Sequence, residues 1–248
     1  TESISHISIA ERADILVVAP ATANTIAKIA LGIADDALTT TVLATSAPII
    51  VCPAMDGHMY ENQVTQQHIK TLMTRGVRVV GPVQGRLASG LTGTGRMEEI
   101  SRIIGHIKLA IGQSGDLKGQ KLVVSAGGTQ EAIDPVRFIS NRSSGKMGYA
   151  IAEASRDRGA TTIIVAAPNE LDAPVGTTVV DVVSSSEMLQ SLTEECRDAN
   201  ILIMSAAVSD WKPDIESSRK IKKVDSEHIN INLVNTPDIV AEISHEGL

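Results

Sequence analysis

Short runs of β-branched and aliphatic residues alternate with longer amphipathic segments along this chain, and that alternation restricts the folds it can adopt. Three such runs in the first half are typical of buried strands, at 14–19, 48–52 and 77–80. Helical patterns lie between and after them, at 22–32, 36–45, 61–75 and 98–111. Because strands that alternate with helices pair in parallel, the pattern predicts an α/β fold with helices on the faces of a sheet.

The same alternation restarts in the second half. Its strand patterns lie at 121–126, 161–167, 178–183, 201–206 and 229–234, and its helical patterns at 146–158, 186–198 and 237–243. Between the halves, residues 112–120 carry three glycines and no apolar periodicity. We therefore expect two Rossmann-like, three-layer units with mostly parallel sheets, at 1–112 and 120–248, joined by a linker at 113–119.

Composition argues against several classes of partner. A net charge of −7 and only four aromatic side chains disfavour nucleic-acid binding, which uses clustered cations and stacking platforms. The same charge disfavours an anionic membrane surface, and no apolar run approaches the length of a membrane span. Cys52 and Cys196 lie far apart, which favours two buried thiols in a reducing cytoplasm over a disulfide framework or a metal site.

The stretch GRLASGLTGTGRM, residues 85–97, has four glycines in its first eleven positions and invites comparison with phosphate-binding loops. The Walker template fails because Arg96 and Met97 stand where lysine and Ser or Thr are needed. The dinucleotide template fails because Glu98 occupies its closing glycine. The stretch needs another explanation, and a nicotinamide-dependent reductase is disfavoured.

Two polar motifs follow predicted strands. PATANT, residues 20–25, begins a helix, and its Thr22 and Asn24 are residue types that cap helices, so the backbone amides there suit an anionic or polar ligand. PAMDGHMY, residues 53–60, follows the next strand. Taken singly, PATANT is better explained as a plain strand-to-helix turn, and PAMDGHMY is also consistent with one.

Taken together and in this order, PATANT, PAMDGHMY and GRLASGLTGTGRM, preceded by SHISIAERADILVVAP, resemble the flavin-dependent cysteine decarboxylases, most closely the phosphopantothenoylcysteine decarboxylases. The resemblance implies that His6 is the base near the substrate thiol and that residues 85–97 close over the substrate as a mobile flap. It also implies a flavodoxin-like domain that binds FMN through five residues: Thr22, Ala23, Asn24, Thr25 and Ala54.

Two positions of the implied catalytic set depart from the family pattern. Asp56 stands where the family usually has asparagine, and an ionised carboxylate cannot donate a hydrogen bond to the substrate carboxylate. Asp56 must then be protonated, redirected or bridged by water. Ser89 stands where many members have an acidic cysteine. Since a hydroxyl is a far weaker acid, we expect Ser89 to relay a proton from water, or another group to take over this role.

Four further motifs resemble the phosphopantothenate-cysteine ligases, which occur fused to the decarboxylase in bifunctional enzymes of coenzyme A biosynthesis. They are SAGGTQEAIDPVRFISNRSSGKMGYAIA (125–152), SAAVSDW (205–211), RKIKK (219–223) and NTPDIV (235–240). From the residues alone, GGT after a strand and SSGKMG before a helix are amide-rich turns suited to phosphates. Alone, SSGKMG is also consistent with a surface turn, and RKIKK with a solvated basic loop.

The ligase resemblance implies that CTP activates 4'-phosphopantothenate as an acyl-cytidylate, which the amine of cysteine attacks. In this reaction Lys220 stabilises charge on the α-phosphate, Asn141 holds the acyl intermediate and Arg137 acts as a charge clamp. Mg²⁺ bridges the phosphates, and Asp210 reads the cytosine. The implied nucleotide site comprises Met204, Ser205, Ala206, Asp210, Lys220, Pro237, Asp238, Ile239 and Val240.

Two alternatives to a complete bifunctional enzyme stay open. Relative to the family, an opening strand with its glycine turn and a ligase tail are absent, which favours a fragment, and we expect a chain this short to lack ligase activity. A non-catalytic regulatory relative is the second alternative, although His6, Asn141 and Lys220 favour an enzyme. The family arrangement further implies a homo-oligomer, with trimeric decarboxylase and dimeric ligase contacts.

Overall fold

The computed structural model describes residues 5–88, 90, 92–222 and 228–245. The chain divides into two compact units, Thr1–Ile111 and Gly112–Leu248. Each unit is an α/β structure built on a parallel sheet, which confirms the predicted fold class.

The first unit contains a three-stranded parallel sheet in the order β1-β2-β3 and a separate antiparallel hairpin, β4-β5. Its strands are β1 (Leu16–Ala21), β2 (Ile49–Pro53), β3 (Arg78–Val79), β4 (Val83–Arg86) and β5 (Thr92–Arg96). Its helices are α1 (Ser5–Arg12), α2 (Ala23–Leu31), α3 (Ala37–Ala44), α4 (Gly57–Glu61), α5 (Gln63–Thr74) and α6 (Ile100–Gly112).

Helices cover both faces of this sheet because its strands are apolar on both sides. On one face, Val18 and Val51 pack against α2, α3 and α5, which contribute Ile26, Val42 and Leu72. On the other face, a second core forms from Ile50, Cys52, Val80 and, on α6, Ile103. The first unit therefore has three layers.

The second unit contains a four-stranded parallel sheet in the order β10-β9-β6-β11, with two antiparallel ribbons beside it, β7-β8 and β12-β13. Its strands are β6 (Lys121–Ala126), β7 (Gln130–Asp134), β8 (Arg137–Ser140), β9 (Thr161–Ala166), β10 (Thr178–Asp181), β11 (Ile201–Met204), β12 (Trp211–Pro213) and β13 (Leu233–Asn235). Its helices are α7 (Lys146–Asp157), α8 (Ser185–Cys196) and α9 (Ile239–His245).

Alternate residues of β6 divide the core of the second unit between the two faces of its sheet. Val123 lies in the cluster that includes Met188 of α8 and Ile239 of α9. Val124 lies in the opposite cluster, with Tyr149 and Ala152 of α7. The second unit is therefore also three-layered.

Several elements differ from the sequence expectation. Helix α1, the hairpins β4-β5 and β7-β8, and strand β12 were not expected. In the two hairpins, glycine, arginine and serine obscure the alternation that marks a strand. The strand expected at 229–234 begins only at Leu233. The segment at 113–119 forms turns rather than an extended connection, and the Leu117 amide donates to the Arg158 carbonyl (3.0 Å).

Membrane insertion receives no support from the described helices. Within the described ranges, no helix is both long enough and apolar enough to cross a membrane.

Helix α3 begins with a charged capping box that makes the stability of the first unit pH-dependent. Asp36 accepts hydrogen bonds from the amide and the hydroxyl of Thr39 (2.8 and 2.9 Å) and from the Lys28 ammonium (3.1 Å). These bonds lower the pKa of Asp36 to about 2. A carboxyl whose pKa is lower in the folded state stabilises the fold above its unfolded pKa, and this contribution is lost as pH falls through the folded value.

We expect Asp36→Ala to lower the melting temperature at neutral pH, because α3 loses its N-cap. The difference from the unmodified chain should shrink as the pH falls from about 4 to about 2, since Asp36 becomes protonated. Thermal melts followed by circular dichroism across this pH range measure the effect. Asp35→Ala is the matched control, because the Asp35 carboxylate pairs only with Lys28 and caps no helix. A difference that stays constant with pH would contradict the prediction.

Candidate functional site

The carboxyl ends of β1 and β2 bring the first two polar motifs together. The strands pair in parallel from Leu16 with Ile49, so the loops that follow them lie at the same edge of the sheet. A hydrogen bond from the Ala54 amide to the Ala21 carbonyl (2.9 Å) joins the two loops. The structure thus places the predicted FMN residues at one edge. Thr22 is the N-cap of α2, Ala23, Asn24 and Thr25 lie in its first turn, and Ala54 lies in the loop after β2.

The first turn of α2 provides polar groups of the kind that a flavin nucleotide needs. Thr22 caps the helix by accepting a hydrogen bond from the Thr25 amide (3.3 Å), and the two hydroxyls lie 3.1 Å apart. The amides of Ala23 and Asn24 have no intrahelical acceptor, and Asn24 is exposed. Exposed N–H donors at a helix start suit a phosphate or the polar edge of an aromatic ring. These residues therefore fit a flavin nucleotide.

A cavity of about 370 Å³ lies beside this edge, between the loop after β2 and the β4-β5 hairpin. The Met55 amide donates to the Gly95 carbonyl (3.0 Å), so the hairpin is attached to the loop. A methyl group at Gly95 would overlap the Met55 carbonyl oxygen, which explains why this contact requires glycine. The cavity is lined by Ala54, Met55, Asp56, Arg86, Leu87, Ala88, Gly95, Arg96 and Met97.

This cavity combines two arginines with Asp56, which stands where the family usually has asparagine. The Asp56 carboxylate caps α4 and accepts a hydrogen bond from the His58 amide (3.1 Å). Two arginines, Arg86 and Arg96, are among the residues that line the same cavity, and Arg96 also pairs with Glu99 (2.7 Å). Neither arginine was among the predicted site residues, although both lie within the glycine-rich stretch at 85–97.

The predicted base His6 does not line this cavity. His6 is half-buried on α1, which packs against α3, and the Thr45 hydroxyl donates to the Ala10 carbonyl (3.0 Å) between these helices. Ser89 lies outside the described residues. The roles assigned to His6 and Ser89 stay predictions.

In the second unit, the loops after β6 and β11 run side by side. The Ala207 amide donates to the Gly127 carbonyl (2.8 Å), and the Thr129 amide donates to the Ala207 carbonyl (3.3 Å). The Thr129 hydroxyl then accepts from the Ser209 amide (2.9 Å). These bonds continue the sheet beyond its strands and bring the GGT and SAAVSDW motifs together.

Helix α7 begins against the end of β6. A Cβ at Gly148 would lie 2.6 Å from the Ala126 Cβ and 2.8 Å from the Ser205 hydroxyl oxygen. The close approach of the helix to the strand therefore requires glycine at position 148. Gly145, the N-cap residue of α7, is in the left-handed conformation (φ 71°), and no side chain caps the helix. The first-turn amides, without intrahelical acceptors, are available to an anion at the carboxyl edge of the sheet.

A cavity of about 600 Å³ opens at the same edge, between the loop after β11 and the segment from β13 into α9. It contains seven of the nine predicted nucleotide residues: Met204, Ala206, Asp210, Pro237, Asp238, Ile239 and Val240. Its other lining residues were not predicted, although they lie within or beside the same motifs: Val208, Trp211, Asn235 and Thr236.

The two remaining nucleotide residues lie outside this lining. Ser205 is turned toward β6, where its hydroxyl donates to the Ser125 carbonyl (2.6 Å). Lys220 is exposed on the loop between β12 and β13. Its neighbour Ile221 accepts a hydrogen bond through its carbonyl from the Arg137 guanidinium (2.6 Å). The Arg137 side chain is therefore hydrogen-bonded to the residue that follows Lys220 in the chain.

Asn141 is oriented toward the nucleotide cavity. Its side-chain amide donates to the carbonyl of Val208 (2.9 Å), one of the lining residues. The backbone of Asn141 also lies against Gly128, where an added Cβ would come 2.6 Å from the Asn141 carbonyl oxygen. The structure thus brings Asn141, the GGT turn and the SAAVSDW loop together.

A protein-built metal site is not present in the part of the chain that the structure describes. Residues 5–88, 90, 92–222 and 228–245 contain no group of three or more His, Cys, Asp or Glu side chains able to hold a metal ion.

Comparison with known proteins identifies the family. The profile described as "DNA/pantothenate metabolism flavoprotein C-terminal domain" matches residues 117–247, which is more than half of the chain, and the profile "Flavoprotein" matches residues 1–112. The chain belongs to the DNA/pantothenate metabolism flavoprotein family.

Curated relatives of this flavoprotein family match almost the whole chain. The coenzyme A biosynthesis bifunctional protein CoaBC of Haemophilus influenzae is 43% identical over 243 residues, covering 98% of this chain and 60% of the relative. The CoaBC protein of Bacillus subtilis is 42% identical over 246 residues, again covering 98% and 60%. The chain thus spans about 60% of the length of these relatives.

Among solved structures, the crystal structure of the C-terminal domain of a coenzyme A biosynthesis bifunctional protein CoaBC is 37% identical. The match covers 52% of this chain and 60% of that one, with a TM-score of 0.45.

We expect Gly95→Ala to detach the β4-β5 hairpin from the loop after β2, because the added methyl group meets the Met55 carbonyl oxygen. Overpacking of this kind costs about 1–3 kcal/mol of folding free energy. Amide hydrogen exchange at Met55 and thermal unfolding measure the effect. Gly93→Ala is the matched control on the same strand, since its methyl group would meet only Leu87 Cδ1 at 3.5 Å. Equal exchange at Met55 in the two variants would contradict the prediction.

Proposed function

We propose that the first unit is the FMN-dependent phosphopantothenoylcysteine decarboxylase part of a coenzyme A biosynthesis enzyme. It converts 4'-phosphopantothenoylcysteine to 4'-phosphopantetheine. The proposal is supported by the flavoprotein match over residues 1–112 and by the names of the curated relatives. The observation that carries it is the joining of the α2 start and the loop after β2, beside a cavity with two arginines.

The bound flavin supplies the oxidation of the thiol-bearing carbon and the later return of the electrons. The chain positions the substrate and moves protons. His6 takes the thiol proton, because a neutral imidazole is suited to this step near pH 7. Arg86 and Arg96 offset the charge of Asp56, so that a substrate carboxylate can enter a cavity that already contains one carboxyl group.

We further propose that the second unit is the phosphopantothenate-cysteine ligase part, which forms an acyl-cytidylate from CTP. The cavity of about 600 Å³ is large enough for a nucleoside, and its Asp210 carboxylate can accept from the amino group of cytosine. The first-turn amides of α7 face the same sheet edge and suit the phosphates.

The polar residues around the nucleotide cavity divide the remaining work of ligation. Lys220 neutralises charge on the α-phosphate, Asn141 orients the acyl group, and Arg137 attracts the carboxylate of 4'-phosphopantothenate. Mg²⁺ enters with the nucleotide, since it binds phosphate oxygens with few protein ligands.

We also propose that the protein is a cytoplasmic homo-oligomer, trimeric through the decarboxylase and dimeric through the ligase. Exposed apolar side chains occur on both units. Leu31 and Leu43 in the first unit are each 64% exposed, and Phe138 and Trp211 in the second are 52% and 50% exposed. Single exposed apolar side chains are also common on monomers, so the proposed assembly rests on the resemblance to the family.

The flavin assignment is tested by the absorption spectrum and bound-ligand mass of the purified chain, where FMN is expected. Asn24→Ala should weaken FMN binding about 2- to 10-fold, because a neutral hydrogen bond contributes about 0.5–1.5 kcal/mol. Fluorescence titration with FMN measures the change. Gln67→Ala, which alters an exposed amide on α5, should bind FMN normally. Failure to bind FMN in a chain extended to the full length of its relatives would exclude the decarboxylase and favour a regulatory relative.

The ligase assignment predicts that, in a chain extended to the full length of its relatives, CTP and 4'-phosphopantothenate yield an acyl-cytidylate, detected by mass spectrometry. Asp210→Asn should reduce the preference for CTP over UTP about 5- to 150-fold, because a base-edge contact contributes about 1–3 kcal/mol to discrimination. Asp214→Asn is the control, since Asp214 is an exposed acid of the next loop and does not line the nucleotide cavity. Unchanged nucleotide preference in Asp210→Asn would exclude Asp210 as the base reader.

A further inference from the structure

A buried carboxylate at the end of β7 lies between the two cationic residues assigned to the ligase. The side chain of Asp134 is 0% exposed. Its Oδ1 accepts from the amides of Val136 and Arg137 (2.9 Å each). Its Oδ2 accepts from Arg137 Nε and Nη2 (3.0 and 2.5 Å) and from the Ile221 amide (3.0 Å). A single carboxylate therefore receives five hydrogen bonds from two separate segments of the chain.

These bonds attach the loop that carries Lys220 to the β7-β8 hairpin. Ile221 is held on both sides, because its amide donates to Asp134 and its carbonyl accepts from the Arg137 guanidinium (2.6 Å). A further bond, from the Ser217 amide to the Ile133 carbonyl (3.0 Å), ties the same loop to the same hairpin. Lys220, one position before Ile221, is itself exposed. The backbone from which its side chain extends is held by the hydrogen bonds of its neighbour Ile221.

We propose that Asp134 is a positioning residue for acyl-cytidylate formation. Its carboxylate fixes the backbone next to Lys220 and also orients the Arg137 side chain. The inference rests on the proposed ligase function of the second unit. A lysine has a long, flexible side chain, so the place from which it reaches a phosphate depends on where its backbone is held. A displacement of about 1 Å at a charge-stabilising group can reduce the rate about 100-fold.

The five donors require a carboxylate. An amide presents only one acceptor oxygen, so asparagine at this position would direct an N–H group at either the turn amides or the donors from Arg137 and Ile221. Burial raises the pKa of Asp134, but the hydrogen bonds from the Ile221 amide, the Arg137 side chain and the Val136 amide outweigh it and hold the pKa well below its ordinary value. Asp134 is therefore an anion under assay conditions, and its charge retains the Arg137 guanidinium.

Asp134→Asn, made in a chain extended to the full length of its relatives, tests the proposal through two independent readouts. Amide hydrogen exchange of the peptide containing Ile221 should become faster, because its amide loses the carboxylate acceptor. The kcat for acyl-cytidylate formation should fall about 10- to 100-fold. The KM for CTP should stay unchanged, because Asp134 does not line the nucleotide cavity.

Glu131→Gln is the matched control. Glu131 is a second buried acid on β7, 3% exposed, but its Oε1 accepts from the Ser185 amide at the start of α8 (2.8 Å) and not from the Lys220 loop. Glutamine retains that acceptor oxygen, so exchange at Ile221 and kcat should match those of the unmodified chain. Ile221→Pro is a second variant, which removes the donor N–H while leaving the Asp134–Arg137 pair in place. Its kcat should fall as in Asp134→Asn.

Unchanged amide hydrogen exchange at Ile221 in Asp134→Asn would show that the carboxylate does not hold the loop that carries Lys220. This outcome does not depend on whether the chain has ligase activity. Faster exchange with an unchanged kcat would overturn the positioning role while leaving the ligase function intact. A chain extended to the full length of its relatives that forms no acyl-cytidylate would overturn the ligase function, and with it the catalytic part of this inference. A fall in kcat in both Asp134→Asn and Ile221→Pro, with Glu131→Gln unaffected, supports the proposal.

Discussion

Parallel pairing of neighbouring strands is the constraint on which both candidate sites depend. Strands that run in the same direction end at the same edge of a sheet, so loops far apart in sequence become adjacent. In the first unit, the bond from the Ala54 amide to the Ala21 carbonyl extends the pairing of β1 and β2 into their loops. In the second, the bond from the Ala207 amide to the Gly127 carbonyl does the same for β6 and β11. Backbone hydrogen bonds thus bring together the loops that form each site, independently of their side chains.

Glycine allows further segments to reach these edges. At Gly95, the β4-β5 hairpin meets the backbone of the loop after β2, and at Gly148, α7 meets the end of β6. A Cβ at either position would overlap atoms that are fixed by the sheet, so the segment would have to move away. Gly95 therefore allows a backbone contact in the first unit, whereas Gly148 brings the first turn of α7 to the edge of the sheet in the second.

The two cavities differ in how they obtain positive charge. The first has Arg86 and Arg96 in its own lining, next to the Asp56 carboxylate. Among the described residues, the lining of the second has the acids Asp210 and Asp238 and no lysine or arginine. The cations proposed for it, Arg137 and Lys220, come from a hairpin and a loop beside the sheet. In this proposal the cationic segments require an anchor, and the buried carboxylate of Asp134 accepts hydrogen bonds from both of them.

The sequence by itself determined the α/β class, the parallel sheets and most of the nucleotide cavity. Apolar periodicity records which faces are buried, and motifs such as SAAVSDW and NTPDIV follow strands whose ends must meet. Only the tertiary structure decided the hairpins at 83–96 and 130–140, the place of Arg86 in the first cavity, and the burial of Asp134. Sequence reasoning read Arg137 as a free charge clamp and passed over Asp134, because a local pattern carries no sign that Ile221, 87 residues further on, returns to the same carboxylate. Periodicity reports burial along one element, whereas these contacts join elements that only the folded chain brings together.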